Sequence, residues 1–146
     1  PLKIKGSKYP SHLNAFAALK AMARMGNKNA INRCIAIVDS ETDEHFKVSV
    51  LLGHIAYIRQ PEAVDYIIRY LYSDKRDPYA GADVIGMSYA ERAAGYLEKM
   101  IVGFPTKKEM IDLYRREIFG GKSWSVIYVE HCRQWLESQT SIEIIR

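Results

Sequence analysis

Leu51-Leu52-Gly53-His54-Ile55-Ala56-Tyr57-Ile58-Arg59-Gln60-Pro61-Glu62-Ala63-Val64 is the stretch on which the reading of this chain turns. Leu51, Ile55 and Ile58 recur at the three-and-four spacing of one helix face. Arg59 and Gln60 then interrupt the apolar pattern. Pro61 follows at a point where a new helix can begin, because the first helical position has no use for the N–H that proline lacks. Ala63, Val64, Ile67, Ile68 and Leu71 resume the helical spacing. The stretch therefore predicts two helices joined by a tight polar turn.

Working outward, the first of these helices starts near Asp43, whose carboxylate suits an N-cap, and adds Phe46 and Val50 to its apolar stripe. Before it, Ser11 to Met25 reads as a helix with Phe16, Leu19 and Ala23 on one face, stopped by Gly26. Lys28 to Val38 reads as another, with Ala30, Ile31, Cys34, Ile35 and Val38 inward. After Leu71, the two glycines and the proline of residues 74–87 break the periodicity and predict an inserted loop. Helices are then expected over Ser88 to Val102, over Lys107 to Phe119 with Thr106 as cap, and over Ser123 to Ser138. The last of these carries Trp124, Ile127, Tyr128, His131 and Trp135 at helical spacing. Pro1 to Pro10 reads as an irregular arm. Ile142 to Arg146 suits a short strand, a docked extension or the start of a further part. No stretch alternates as a sheet requires.

Shifting the chain by 33 positions lays the first helix pair on the second. His12 meets His45, Leu19 meets Leu52, Ala23 meets Ala56, Ala30 meets Ala63, Ile35 meets Ile68, and Ser40 meets Ser73. Met22 falls on Ile55, Met25 on Ile58, Ile31 on Val64 and Val38 on Leu71. Unrelated segments of this length would share about two identities, so an internal repeat is the better account. A third copy is fainter, with Gly95, Leu97 and Met100 answering Gly53, Ile55 and Ile58. With its proline turn and following Ala-Val, the segment from Leu51 to Val64 resembles a HEAT-type repeat, and the likeness extends over roughly residues 11–119. It implies an all-α fold, a right-handed α-α superhelix of about seven helices, with residues 11–146 as one repeat domain. In such arrays each pair is buried only between its neighbours, and the second helices line a common, usually concave, face.

Composition limits the possible functions. Apolar residues make up 48% and charged residues 26% of the 146, the balance of an ordinary globular domain. The longest apolar runs fall far short of the roughly 20 residues of a membrane span. A net charge of +4 is spread along the chain rather than clustered, which is a weak signal for nucleic acid. Cys34 and Cys132 each fall on the apolar side of a helix, with no metal-ligand spacing, so neither a metal nor a cofactor is expected. The chain begins at Pro1; methionine removal, a cleaved leader or a shortened chain would all look like this, which leaves the compartment open.

The residues most open to a functional role lie on the fourth helix. With its aliphatic residues inward, Tyr66, Arg69 and Tyr70 are expected to face outward. Arg33 on the second helix and Arg115 or Arg116 on the sixth extend this into an Arg/Tyr strip, the residue types that dominate protein contact sites. In the 74–87 insertion, Tyr79, Val84 and Ile85 are candidates to meet a partner or to dock on the array's edge. The histidines, the serines and the weak Gly120-Gly121-Lys122-Ser123 echo of a phosphate loop lack the context of catalysis. The expected function is a non-catalytic module that binds another protein through its concave face. The HEAT-like resemblance leaves two alternatives open: a nucleic-acid-binding protein like the HEAT-like DNA glycosylases, or an enzyme subunit that needs a partner chain, as in HEAT-like bilin lyases.

Overall fold

A computed structural model describes residues 12–76, 88–116 and 124–146, with the side chains of 12–14 and 113–116 excepted. Among these described residues it is all-α, with seven helices. The first, α1 (His12–Arg24), ends at Gly26, which adopts φ 89°. A side chain at that φ is strained, so glycine is the residue that turns the chain there. Asn27 then caps α2 (Lys28–Asp39) by accepting from the Ala30 N–H at 3.0 Å. Asp43 caps α3 in the same way, accepting from the Phe46 N–H at 3.0 Å.

α3 is continuous but irregular. It opens as Glu44–Phe46, widens into a π turn over Lys47–Leu51 and resumes as Leu52–Ile58. The wide turn alters which side chains face inward. Val48 and the aliphatic stem of Lys47 are buried, Phe46 and Leu51 are half-buried, and Val50, expected inward, is exposed. The Lys47 ammonium stays within 3.7 Å of Glu44. Arg59, left-handed at φ 52°, terminates α3, and an extended Gln60 leads into α4 (Pro61–Leu71) with proline at its start.

Successive turns are tied across the helices. Gln60 donates from Nε2 to the Arg24 carbonyl at 2.9 Å, and Arg24 donates to the Tyr57 carbonyl at 2.7 Å. Each bond satisfies a backbone carbonyl left open at a helix C-terminus. At the far end of α4, Arg133 does the same, donating from Nε to the Leu71 carbonyl at 2.8 Å.

The chain leaves α4 toward the insertion and returns with an antiparallel bridge between Arg76 and Ser88. Ser88 caps α5 (Tyr89–Leu97), accepting from the Glu91 N–H at 3.1 Å. That helix ends earlier than the expected Val102, because the chain turns at Glu98–Met100 and then at Gly103, φ 75°. Thr106 and Glu109 form a reciprocal capping box at the start of α6 (Lys107–Arg116). α7 (Trp124–Ser138) packs on α5 and α6. The tail is a docked extension. Val102 N–H donates to the Glu143 carbonyl and Ile145 N–H to the Met100 carbonyl, at 2.9 and 2.8 Å.

The core runs through α2, α3, α4, α5 and α7, with Ile31, Leu52, Ile55, Ile67, Leu71, Leu97 and Tyr128 among its most enclosed side chains. Full burial of one such aliphatic side chain is worth roughly 1.5–3 kcal/mol. Cys34 and Cys132 are both buried and free. Burial, with the Glu98 carboxylate adding to it and a hydrogen bond from Tyr128 opposing it, pushes the Cys132 thiol up to about 12. Among the described residues no helix is long and apolar enough to cross a membrane.

Candidate functional site

α4 was expected to turn Tyr66, Arg69 and Tyr70 outward together. Tyr66 does not comply: it is 2% exposed, and its hydroxyl donates to Asp39 Oδ1 at 2.6 Å. The reason is a polar partner contributed by another helix. A buried tyrosine is stable where its hydroxyl finds an acceptor, and Asp39 at the end of α2 supplies one. The aromatic ring then extends the apolar face of α4 rather than decorating the opposite one. Arg69 is exposed and Tyr70 half-buried, as a contact surface would need.

These residues border a cleft of about 230 Å³ between the end of α2, the start of α3 and α4. Asp39, Glu44, Tyr66, Arg69, Tyr70, Ser73 and Lys75 line it. The Tyr66 and Tyr70 rings lie 5.8 Å apart at 53°, and the Arg69 guanidinium stands 5.5 Å from the Tyr66 ring centre. That is within cation–π range. Glu44 faces Lys75 at 3.5 Å and Lys47 at 3.7 Å.

The electrostatics are balanced: Asp39 and Glu44 oppose Arg69 and Lys75. Burial, and after it the hydrogen bond to Asp39, pushes the Tyr66 phenol far above its ordinary range. Burial also raises Tyr70, helped by Glu44 and Asp39 and opposed by the Tyr66 hydroxyl and Arg69. Both phenols are therefore neutral hydroxyls near pH 7, suited to hydrogen bonding and not to proton abstraction. The cleft is smaller than the roughly 300–1,000 Å³ of a typical small-molecule pocket.

Of the other expected contact residues, only Arg33 has a described side chain. Arg33 is exposed on α2 but is not among the residues lining the cleft. Arg116 closes α6 with its side chain outside the described residues, as is that of Arg115; Tyr79, Val84 and Ile85 lie outside them altogether. Asp39, Ser73 and Lys75 were not anticipated. Asp39 lies 27 residues from Tyr66, and no local pattern in either helix announces the pairing.

Two further polar clusters lie elsewhere. Glu91, buried on α5, accepts from the Ser125 hydroxyl at 2.7 Å and faces Lys107 at 3.4 Å. Between α1 and α3, Lys20 donates from Nζ to His54 Nδ1 at 2.8 Å, while Phe16 meets the imidazole edge-on. Among the described residues no group of three His, Cys, Asp or Glu side chains is placed to hold a metal ion. Set against protein-family models, curated proteins and solved structures, the chain matches none of them.

Proposed function

We propose that the chain is a HEAT-like α-solenoid acting as a non-catalytic protein-interaction module, with the Arg69/Tyr70 cleft as the point where a partner inserts a side chain. The repeat reading draws support from the buried faces of α2 and α4, which match at an offset of 33 residues. Ala30 and Ala63, Ile31 and Val64, Cys34 and Ile67, and Val38 and Leu71 are all buried, while Ile35 and Ile68 are both half-buried. Matching environments at matching positions are what stacked copies of one helix pair produce.

One observation carries the functional reading: an exposed arginine and a half-buried tyrosine stand over a small cleft whose floor is fixed by the Tyr66–Asp39 bond. Rigid aromatic and guanidinium groups around a preformed pocket are the usual anatomy of a protein contact site. The balanced charge of the lining favours a protein partner over nucleic acid, because a phosphate backbone calls for an excess of cations. The two carboxylates of the lining, Asp39 and Glu44, would repel it.

The test is affinity capture with the wild-type chain and with Arg69→Ala plus Tyr70→Ala, identifying the bound proteins by mass spectrometry. Arg69 is exposed and Tyr70 half-buried, so the double variant is expected to keep its circular dichroism spectrum and lose the specific partner. A partner set unchanged by the substitutions, or steeply salt-dependent binding of duplex DNA, would refute the proposal.

A further inference from the structure

The copies of the proposed repeat differ in how one helix face is covered. Ala15, Ala18 and Met22 on α1, and Met25 in the turn directly after it, are all exposed, Met22 at 48% and Met25 at 87%. Their spacing of three, four and three residues places them on one stripe. The equivalent positions in the second copy, 33 residues on, are Val48, Leu51, Ile55 and Ile58. Three of these are fully buried and Leu51 is half-buried against the core. In the third copy, a further 42 residues on, they are Ala90, Ala93, Leu97 and Met100, and all four are buried. A stripe covered twice within the chain is bare in its first occurrence among the described residues.

Its direction fits. Phe16, Lys20 and Arg24 of α1 meet α3 through His54 and Tyr57. At 3.6 residues per turn, the centre of the Ala/Met stripe lies about 180° around the helix from the centre of that triplet. α1 is thus packed by α3 on one side and presents the stripe on the other.

We propose that this stripe is a self-association surface, covered by α1 of a second copy of this chain in an antiparallel, two-fold arrangement. Three observations favour a second copy over another occupant. First, the equivalent surfaces inside the chain are helix–helix contacts, so the covering element is a helix. Second, the stripe is self-complementary. Positions 15 and 25, and positions 18 and 22, are both centred on residue 20. A two-fold axis there sets Ala15 against Met25 of the second copy and Ala18 against Met22 of the second copy, so a small side chain meets a large one in every layer. Third, the face carries no charge. Ala21 flanks it on one side and Leu19 on the other, while the two cations of the helix, Lys20 and Arg24, are engaged on the α3 side. Two copies can therefore approach without like-charge repulsion, and α1 of each copy runs against the dipole of the other.

A contact between two 13-residue helices, about 20 Å long, lies at the low end of specific interface sizes. The dimer is accordingly a weak, reversible one, with half-association expected at about 100 μM. This inference rests on the repeat reading proposed above and not on the cleft at α4.

Sedimentation of the full chain from about 10 μM to about 1 mM tests it, with circular dichroism as the folding control. A concentration-dependent dimer is expected, with Met22→Glu raising the half-association concentration at least about tenfold by placing a carboxylate in the seam. Ala18→Met alone sets methionine against methionine and should weaken the dimer. Ala18→Met together with Met22→Ala restores the small-to-large layers and should recover it. A monomer across the whole range overturns the proposal, whether Met22 and Met25 then oxidise freely, as on a bare surface, or are protected by some other cover. A dimer indifferent to Met22→Glu, or a paired swap no better than the single substitution, overturns it as well.

Discussion

Replacing Tyr66 by Phe removes one oxygen atom and tests the link that holds α2 to α4. The ring remains packed beside Tyr70 and beneath Arg69, so no cavity forms; the 2.6 Å bond to Asp39 is lost, and with it the weaker interaction of the hydroxyl with Tyr70. Hydrogen bonds to charged groups contribute about 1.5–3 kcal/mol. Asp39 is exposed, so water takes the place of the hydroxyl on its carboxylate and the loss belongs at or below the low end, about 1–1.5 kcal/mol. With a urea m-value of about 2 kcal/mol/M, the midpoint should fall by about 0.5–0.75 M at constant m. Tyr66→Ala, which also empties the site, should cost about 3–5 kcal/mol. A double-mutant cycle with Asp39→Ala separates the pair from its surroundings and should return a coupling of about 1 kcal/mol. A Tyr66→Phe midpoint unchanged or raised, or a coupling near zero, would show that the hydroxyl–carboxylate bond does not join the two helices.

Two other perturbations address the remaining polar clusters. Burial first, then the Lys20 ammonium, holds the His54 imidazole below its ordinary 6.5. Below that pH the unfolded chain binds more protons than the folded one, so this contribution is intact above pH 6.5 and is lost as the pH falls toward the depressed folded value. The melting temperature of the wild type minus that of His54→Gln should therefore fall between pH 7.5 and 5; a difference that stays flat refutes the assignment. At the Glu91 cluster, Glu91→Ala strands the Ser125 hydroxyl and removes the acidic residue of the α5 cap, and should cost about 2–3 kcal/mol by denaturant titration. Lys107→Ala, whose ammonium is partly solvated, should cost less than about 1 kcal/mol; equal losses would contradict this division.

Much of the helix layout was legible in the residues because the signals are local. Asp43, Pro61, Ser88 and Thr106 stand at helix starts for reasons of backbone chemistry that any fold respects, and Gly26 ends α1 where its φ requires glycine. Non-local features were not legible. Tyr66 looked outward because its wheel position borders the aliphatic stripe, and only Asp39, from a different helix, turns it inward. Val50 looked inward because the spacing assumed a regular helix, and the π turn altered the register. Met22 and Met25 are exposed although their repeat mates Ile55 and Ile58 are buried, because burial belongs to a position and its neighbours together. In the cleft, Arg69 and Tyr70 were identifiable by residue type. Asp39 and Lys75 were not, because nothing local links them to α4.

The bridge between Arg76 and Ser88 has a consequence for engineering. Because the Tyr89 N–H also donates to the Lys75 carbonyl at 3.0 Å, the two ends of the 77–87 segment are fastened to each other, independently of what lies between them. The entropy of closing such a segment grows only slowly with its length, by about 0.6 kcal/mol for each doubling. Foreign sequence of quite different length can therefore be spliced in at this point with little effect on α4 or α5, which makes the position a natural port for displaying a peptide on a rigid helical base.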